Sequence, residues 1–274
     1  MENHLNRKLD LLDKKQLEDK QILYYQSVDS TNLAARRLAE DGKPEYSTVV
    51  AEEQLKGRGR LGRSWFSPRG SGLWFSMILR PLKVSPSKAG AITLVTAAAL
   101  AEHLNKQHGL PVMIKWPNDL LLNGKKTGGI LSEMKAKPEL IEYLIIGIGL
   151  NINQERADFP CDISQLATSL YIEHDKLLDR TKLLLELIED LKKAYHSFYE
   201  YGFNHFYPLW KKYNTTLGKT ITVCSPNKKI EGIAIDLTQD GSLVIRDHKG
   251  CNHLINHGEI ISGKTSTDSA FRPP

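Results

Sequence analysis

The chain has 274 residues, 41% hydrophobic and 25% charged, the balance of an ordinary soluble globular protein, which excludes collagen-like, mucin-like and wholly disordered chains. The longest nearly uncharged apolar stretch, Tyr143 to Ile152, is about half the roughly 20 residues of a bilayer-spanning helix. A net charge of +5, from 37 basic and 32 acidic residues, is too modest to demand a polyanionic partner, so the distribution of charge matters more than its sum.

Residues 1–20 alternate both signs of charge without an apolar run, which predicts a short charged helix or arm and argues against a secretory signal. The β-prone run Ile22–Val28 leads into Asp29-Ser30-Thr31-Asn32, a helix-capping cluster ahead of Leu33–Ala39. Ser47–Ala51 reads as a strand. From Gln54 to Arg69 the chain carries Lys56, Arg58, Arg60, Arg63 and Arg69 and no acid, a local field suited to an anion. Leu73–Leu79 is a second apolar strand, and Ser87–Gln107 a long alanine-rich helix with Ser85 or Ser87 near its cap.

Short strands are predicted at Val112–Lys115, Leu120–Leu122, Thr127–Lys135 and Leu140–Ile148, with helices at Thr181–Tyr201 and His205–Tyr213. After Leu217, alternating strands with turns at Pro226-Asn227, Asp240-Gly241 and Lys249-Gly250 predict a small β-barrel. The last ten residues read as a frayed tail. The expected fold class is α+β with a mixed sheet, divided into an arm (1–20), a main domain (21–214), a C-terminal β module (215–264) and a tail (265–274). Cys161, Cys224 and Cys251 form no CxxC pair, which favours a reducing cytoplasm.

Three motifs fail their context tests. Gly258-Glu-Ile-Ile-Ser-Gly-Lys-Thr265 fits GxxxxGK[ST], but a phosphate loop must open a helix, and the short stretch after Thr265 ends in Arg-Pro-Pro. A terminal strand and turn is expected instead. Gly57-Arg-Gly-Arg-Leu-Gly62 fits GxGxxG, yet an apolar strand comes after it where a dinucleotide fold needs a helix. His248, Cys251, His253 and His257 cluster without a companion CxxC or HExxH, as a solvated hairpin would.

Four segments remain: Asp29–Asn32; Gln54 to Trp65 (QLKGRGRLGRSW); Lys115-Trp-Pro-Asn-Asp119 continuing through Lys126-Thr-Gly-Gly129-Ile-Leu-Ser-Glu133; and Gly147-Ile-Gly149-Leu-Asn151-Ile-Asn153. Singly, each has a structural explanation: a flexible basic turn, a strand ending in a tight turn, a glycine-kinked strand. In this order they resemble the catalytic domain of the biotin protein ligases, from about Val28 to Asn153, and the stretch after Leu217 resembles that family's small SH3-like C-terminal domain. The resemblance implies a mixed-sheet catalytic domain of the biotin/lipoate ligase type.

It also implies an ATP-dependent enzyme that forms biotinoyl-5′-AMP and passes biotin to a lysine of a carrier, such as the carrier subunit of acetyl-CoA carboxylase or of other biotin-dependent carboxylases. ATP and Mg²⁺ would be required. By position, Lys126 matches the catalytic lysine that reaches biotin's carboxylate and the α-phosphate, and Arg58 and Arg60 the arginines closing over the adenylate, Arg60 with a catalytic part. Ser30, Thr31, Asn32 and Gln54 match the polar contacts to biotin, and Gly57, Gly59 and Gly129 positions where backbone approaches it. Arg63, Lys115, Asn118 and Asn151 fall on the nucleotide side, Trp65 covers biotin and adenine, and Asp119 helps to place Mg²⁺.

Leu61 stands where some members carry arginine. The residues ahead of Asp29 are too few for the DNA-binding winged helix of bifunctional members, so a monofunctional ligase without nucleic-acid or membrane partners is expected. Monomer and sheet-paired homodimer are both open. The rivals are a lipoate or octanoyl ligase, which lacks use for the arginine-and-tryptophan loop, and a nucleic-acid binder stacking bases on Trp65 and Phe66, which leaves Lys115–Asp119 without a role.

Overall fold

The computed structural model describes residues 20–81, 83–225 and 228–264; the expected N-terminal arm, the Pro226-Asn227 turn and the tail fall outside them. Seven strands form the main sheet: β1 (Ile22–Tyr25), β2 (Thr48–Ala51), β3 (Gly72–Leu79), β4 (Met113–Lys115), β5 (Asp119–Leu122), β6 (Lys125–Lys137) and β7 (Leu140–Asn151). Their spatial order is β1-β2-β3-β7-β6-β5-β4. Only β1 and β2 run parallel; the remaining pairs are antiparallel, which makes the sheet mixed.

Alternation along β7 decides what each face of the sheet does. Leu144, Ile146, Ile148 and Leu150 point to one side, where they join Leu73, Phe75, Met77 and Leu79 of β3 in the main core. That side is covered by the helices α2 (Ala89–His108), α4 (Arg180–Tyr201), which follows the short α3 (Leu170–His174), and α5 (Phe203–Tyr213). On the other side Tyr143 and Ile145 pack with Val49, Ile78 and the Ala35/Ala39 stripe of α1 (Thr31–Glu40). The same row continues as Gly147, beneath Asn32 in the first turn of α1, and Gly149, and there the sheet is left bare of its own side chains.

Several elements differ from expectation for local reasons. The strands expected to be short at 127–135 and 140–148 are 13 and 12 residues long, because β6 and β7 stay paired as a hairpin from Gly128↔Leu150 to Lys137↔Leu140, with one register shift between Lys135 and Ala136. Helix α2 begins at Ala89, since Pro86–Lys88 forms a 3₁₀ turn before it, and neither serine caps it through its side chain. Ser30 holds the extended backbone of an N-cap but its side chain makes no cap bond. Its neighbours Thr31 and Asn32 are committed to the sheet beneath. Helix α5 starts at Phe203 directly after Gly202, whose φ of 71° suits glycine at the break from α4.

Asp179 caps α4 by accepting from the Lys182 N–H at 3.0 Å. The first residue of that helix, Arg180, is buried and donates to Glu52 Oε2 at 3.1 Å and to the Gly72 carbonyl at 3.1 Å. This buried pair ties α4 to the end of β2.

A second, antiparallel sheet contains β8 (Thr220–Ser225), β9 (Lys228–Leu237), β10 (Leu243–Arg246), β11 (Asn252–Ile255) and β12 (Glu259–Lys264), in the order β11-β10-β9-β8-β12. The Gly258-to-Lys264 stretch of the phosphate-loop-like string is thus an edge strand and its lead-in. Within the His/Cys cluster, His253 Nε2 lies 2.8 Å from Asp247 Oδ2 across the hairpin. The second sheet seats on the Lys115–Asp119 turn: the Trp116 indole donates to the Gly241 carbonyl at 3.2 Å, and its backbone N–H to Thr216 Oγ1 at 3.0 Å. The Trp116-Pro117 peptide is cis.

Candidate active site

The bare region of the sheet is the floor of a cavity of about 120 Å³. Gly149 faces Gly129, and Gly147 faces Leu131, across the β6–β7 ladder. Side chains from elsewhere lie directly on these glycines. A Cβ at Gly149 would stand 2.4 Å from Trp65 Nε1, and one at Gly147 would stand 1.8 Å from Asn32 Oδ1. The glycines are therefore required by close approach. Trp65 lies over Gly129 and Gly149 and meets Trp74 edge-on, with centroids 6.5 Å apart. Its indole N–H is buried with no hydrogen-bond partner among the described residues.

A polar corner closes one end. Gln54 Oε1 accepts from the Thr31 N–H at 2.8 Å and from Thr31 Oγ1 at 3.0 Å, while Gln54 Nε2 donates to Ser67 Oγ at 2.8 Å. Ser76 Oγ, fully buried in β3, contacts Thr31 Oγ1 at 2.8 Å and Asn32 Oδ1 at 2.7 Å. Asn32 Nδ2 donates to Glu133 Oε2 at 2.8 Å. Buried polar groups rarely stay unpaired, and here Thr31 and Asn32 are recruited by the sheet instead of capping α1.

The other walls are cationic. Lys126 Nζ sits 2.6 Å from Asp119 Oδ1 and 5.3 Å from the centroid of the Trp65 ring. Arg58 pairs with Glu133 at 3.2 Å. Arg60 donates to Asn118 Oδ1 at 3.0 Å and to the Gly258 carbonyl at 3.2 Å. Burial draws the Arg60 pKa below its ordinary value, opposed by Asp119 and Glu259. The guanidinium remains a cation all the same. Arg63 forms a two-pronged bond to Glu259, and Lys115 Nζ donates to the Ile260 carbonyl at 3.2 Å. The lining thus holds Arg58, Arg60, Arg63, Lys115 and Lys126 against the carboxylates Asp119 and Glu259. That excess favours an anion.

The structure brings nearly all the sequence-selected residues to this cavity: Ser30, Thr31, Asn32 and Gln54 in the polar corner, Gly59 beside the arginines, Asn118 and Asp119 below them, Gly129 in the floor. Two are placed elsewhere. Gly57 is outside the lining, at the base of the loop, where a Cβ would stand 2.3 Å from the Trp65 carbonyl. Asn151 continues the row of Gly147 and Gly149, but its buried amide donates to the Thr168 carbonyl at 2.9 Å, away from the cavity. Leu61 is 65% exposed, with a φ of 56°.

Glu133, Ser76, Glu259 and Gly147 also build the site. Ser76 is the single polar residue in its apolar strand, a signal visible in the sequence. Glu259 lies inside the phosphate-loop-like string and carries no such signal.

A family model described as "Biotin/lipoate A/B protein ligase family" matches residues 24–151, and one described as "Biotin protein ligase C terminal domain" matches residues 216–263. The chain is 35% identical over 233 residues to the bifunctional ligase/repressor BirA of Bacillus subtilis, covering 85% of this chain and 71% of that one. The chain belongs to the biotin protein ligase family. It is 31% identical to the biotin–[acetyl-CoA-carboxylase] ligase of Paracoccus denitrificans, across 86% of this chain and 98% of the relative. The biotin protein ligase of Aquifex aeolicus, solved in complex with biotin and ATP, superimposes with a TM-score of 0.77 at 32% identity, covering 89% of this chain and 99% of that one. Both matched family segments contribute to the cavity: the first through the glycine floor, the second through Glu259 and Ile260. No helix among the described residues is long and apolar enough to cross a membrane.

Proposed function

We propose that this ligase-family protein joins biotin to a lysine of a biotin carrier protein in two steps. In the first, a carboxylate oxygen of biotin attacks the α-phosphorus of ATP, the bond to the β-phosphate breaks, and pyrophosphate leaves. In the second, the carrier's neutral lysine amine attacks the acyl carbon, AMP departs with the electron pair of the broken C–O bond, and the amine loses a proton. The observation that carries this reading is the convergence of Lys126 and the 58–63 arginines on one glycine-floored cavity with a polar corner. At about 4 Å two like unit charges repel by roughly 4 kcal/mol at an effective dielectric near 20, so bringing a carboxylate to a triphosphate needs such cations.

Lys126 binds the biotin carboxylate and the α-phosphate, exchanging its contact with Asp119 for theirs. Arg58 and Arg60, with forks suited to carboxylate and phosphate oxygens, close over the adenylate; Arg63, Lys115 and Asn118 serve the nucleotide side. Gln54, Thr31 and Ser30 offer the donors and acceptors a ureido ring requires, with Asn32 fixing the floor beneath them. Trp65 separates biotin from adenine. Asn151 acts as a positioning residue, holding the 168 segment against the end of β7.

Mg²⁺, when bound, shares the charge of the triphosphate. The donor set fits an ion that keeps most of its coordination on phosphate and water, because the two lining carboxylates already face cations. Asp119 is the one we assign to it. Residues 21–214 serve as the catalytic domain and 215–264 as an SH3-like partner to it. Three free cysteines suit a cytoplasmic setting.

Purified protein with labelled biotin, ATP–Mg²⁺ and a biotin carrier domain should transfer label only when every component is present. Labelling with lipoate or octanoate in place of biotin, and none with biotin, overturns the reading.

A further inference from the structure

On the face of the sheet opposite the glycine floor, α2 and α4 hold a side-chain cluster that takes no part in the two-step ligation. His103, buried to 5% exposure on α2, places Nδ1 2.8 Å from Asp190 Oδ2 of α4. A carboxylate can only accept, so Nδ1 donates to it, and in the neutral imidazole that a metal binds Nε2 keeps its lone pair. That Nε2 is buried without a hydrogen-bond partner among the described residues, and so is Nε2 of His108, the last residue of α2. Glu186, one turn before Asp190 on α4, lies on the third side, its Oε2 3.6 Å from His103 Nε2. This is beyond hydrogen-bond reach. Two imidazole nitrogens without hydrogen-bond partners among the described residues and a carboxylate therefore converge on one point, an arrangement that a shared cation would satisfy.

We propose that His103, His108 and Glu186 form a binding site for a divalent transition-metal ion of the zinc class, bridging the C-terminal end of α2 to α4. Their three ligand atoms lie within 4.8 Å of one another, the one group of this kind among the described residues. Tetrahedral coordination at about 2.0–2.1 Å brings ligand atoms to roughly 3.3 Å apart, a closure within the swing of the half-exposed Glu186 side chain. Two imidazoles and a carboxylate are a recognised zinc set, with a water in the fourth position. Asp190 supplies what such sites have behind the first ligand: a carboxylate on the other ring nitrogen, fixing tautomer and orientation. Lys193 donates to the other oxygen of Asp190 at 3.3 Å, holding it in place. Lys182, 3.9 Å from Glu186 Oε1, competes weakly from the solvent side. The site clips two helices of the main core and touches none of the residues assigned to biotin or ATP.

The test uses the full chain, stripped with a chelator and returned to buffer, titrated with Zn²⁺ alone against a chromophoric competitor. The wild type should bind one equivalent and melt at a higher temperature with zinc than without. Glu186→Gln and His108→Ala should lose that equivalent and the thermal shift while keeping biotin-dependent pyrophosphate release. Asp190→Asn should bind about 10–100-fold more weakly, with a changed visible spectrum of the Co²⁺-substituted site. Metal-free melting curves of the variants, alongside the wild type, report folding independently. A wild type that binds no zinc, or variants that keep the full equivalent, overturns the proposal.

Discussion

Arg63 and Glu259 meet through two parallel bonds, Nη1 to Oε1 and Nη2 to Oε2 at 2.5 Å each, although 196 residues separate them in the chain. With Arg60 on the Gly258 carbonyl and Lys115 on that of Ile260, this fork makes the edge strand of the second sheet one wall of the site. Exposed pairs contribute about 0.2–1 kcal/mol, with two-pronged geometry at the upper end. Stability is therefore a poor readout and ATP binding the better one. Glu259→Lys should raise the KM for ATP by about tenfold with little change in melting temperature. The paired reversal Arg63→Glu/Glu259→Lys should likewise leave melting almost unchanged and should not restore the nucleotide affinity, because the phosphate-facing cation is gone.

Lys126→Ala removes the one ammonium among the described residues that lies both on Asp119 and against the Trp65 ring. Loss of a donor to developing charge costs on the order of 10²–10³ in rate. Biotin-dependent pyrophosphate release should fall by at least that much. A near-normal rate in a stopped assay would move the role to one of the arginines.

Arg60 bridges two walls, through Asn118 and through Gly258. Removing it unties the 57–65 segment from both, so the reactive mixed anhydride is no longer shielded from water and stray amines. Arg60→Gly should release biotinoyl-AMP and label unrelated proteins in a mixture. Labelling that stays confined to the carrier would show that closure does not depend on this side chain.

Gly147→Ala and Gly149→Ala drive a methyl into Asn32 and Trp65 respectively, at starting distances of 1.8 and 2.4 Å. Forced overpacking costs roughly 1–3 kcal/mol. The chain should still fold, and the main effect should be a rise in the KM for biotin, larger than any rise for ATP in the Gly147 variant because Asn32 belongs to the polar corner.

Arg180→Met leaves Glu52 charged, 1% exposed and without its arginine. Breaking a buried pair from one side costs about 3–5 kcal/mol, readable as a fall in the denaturant midpoint. The same loss should be reduced by adding Glu52→Gln, which removes the buried charge that faced Arg180.

What the sequence disclosed about this site is what lies close together along it. The GRGRLGR loop, the Lys115–Asp119 turn and the Gly128-Gly129 pair announced their cations and glycines directly, and of the residues selected for the site all but Gly57 and Asn151 reach the cavity wall. The partners of those cations were not legible. Glu133 holds Arg58 and Asn32 together across the main sheet, and Glu259 holds Arg63 through a contact that depends on how the second sheet docks. Asn151 shows the converse. The resemblance assigned it to the nucleotide side, but its amide is bonded to the carbonyl of Thr168, in a stretch with no motif. Ser30 likewise fits a helix cap in its letters, and the sheet beneath α1 determines where its neighbours turn.

One alternating row of β7 serves as a helix seat at Tyr143 and Ile145 and as bare ground at Gly147 and Gly149. Evolution or design aiming at bulkier acids cannot deepen this site from below, since glycine has nothing left to shave and the backbone beyond it carries the main core. New specificity has to be written in the roof, where Trp65 and the arginine loop can be retailored without disturbing the sheet.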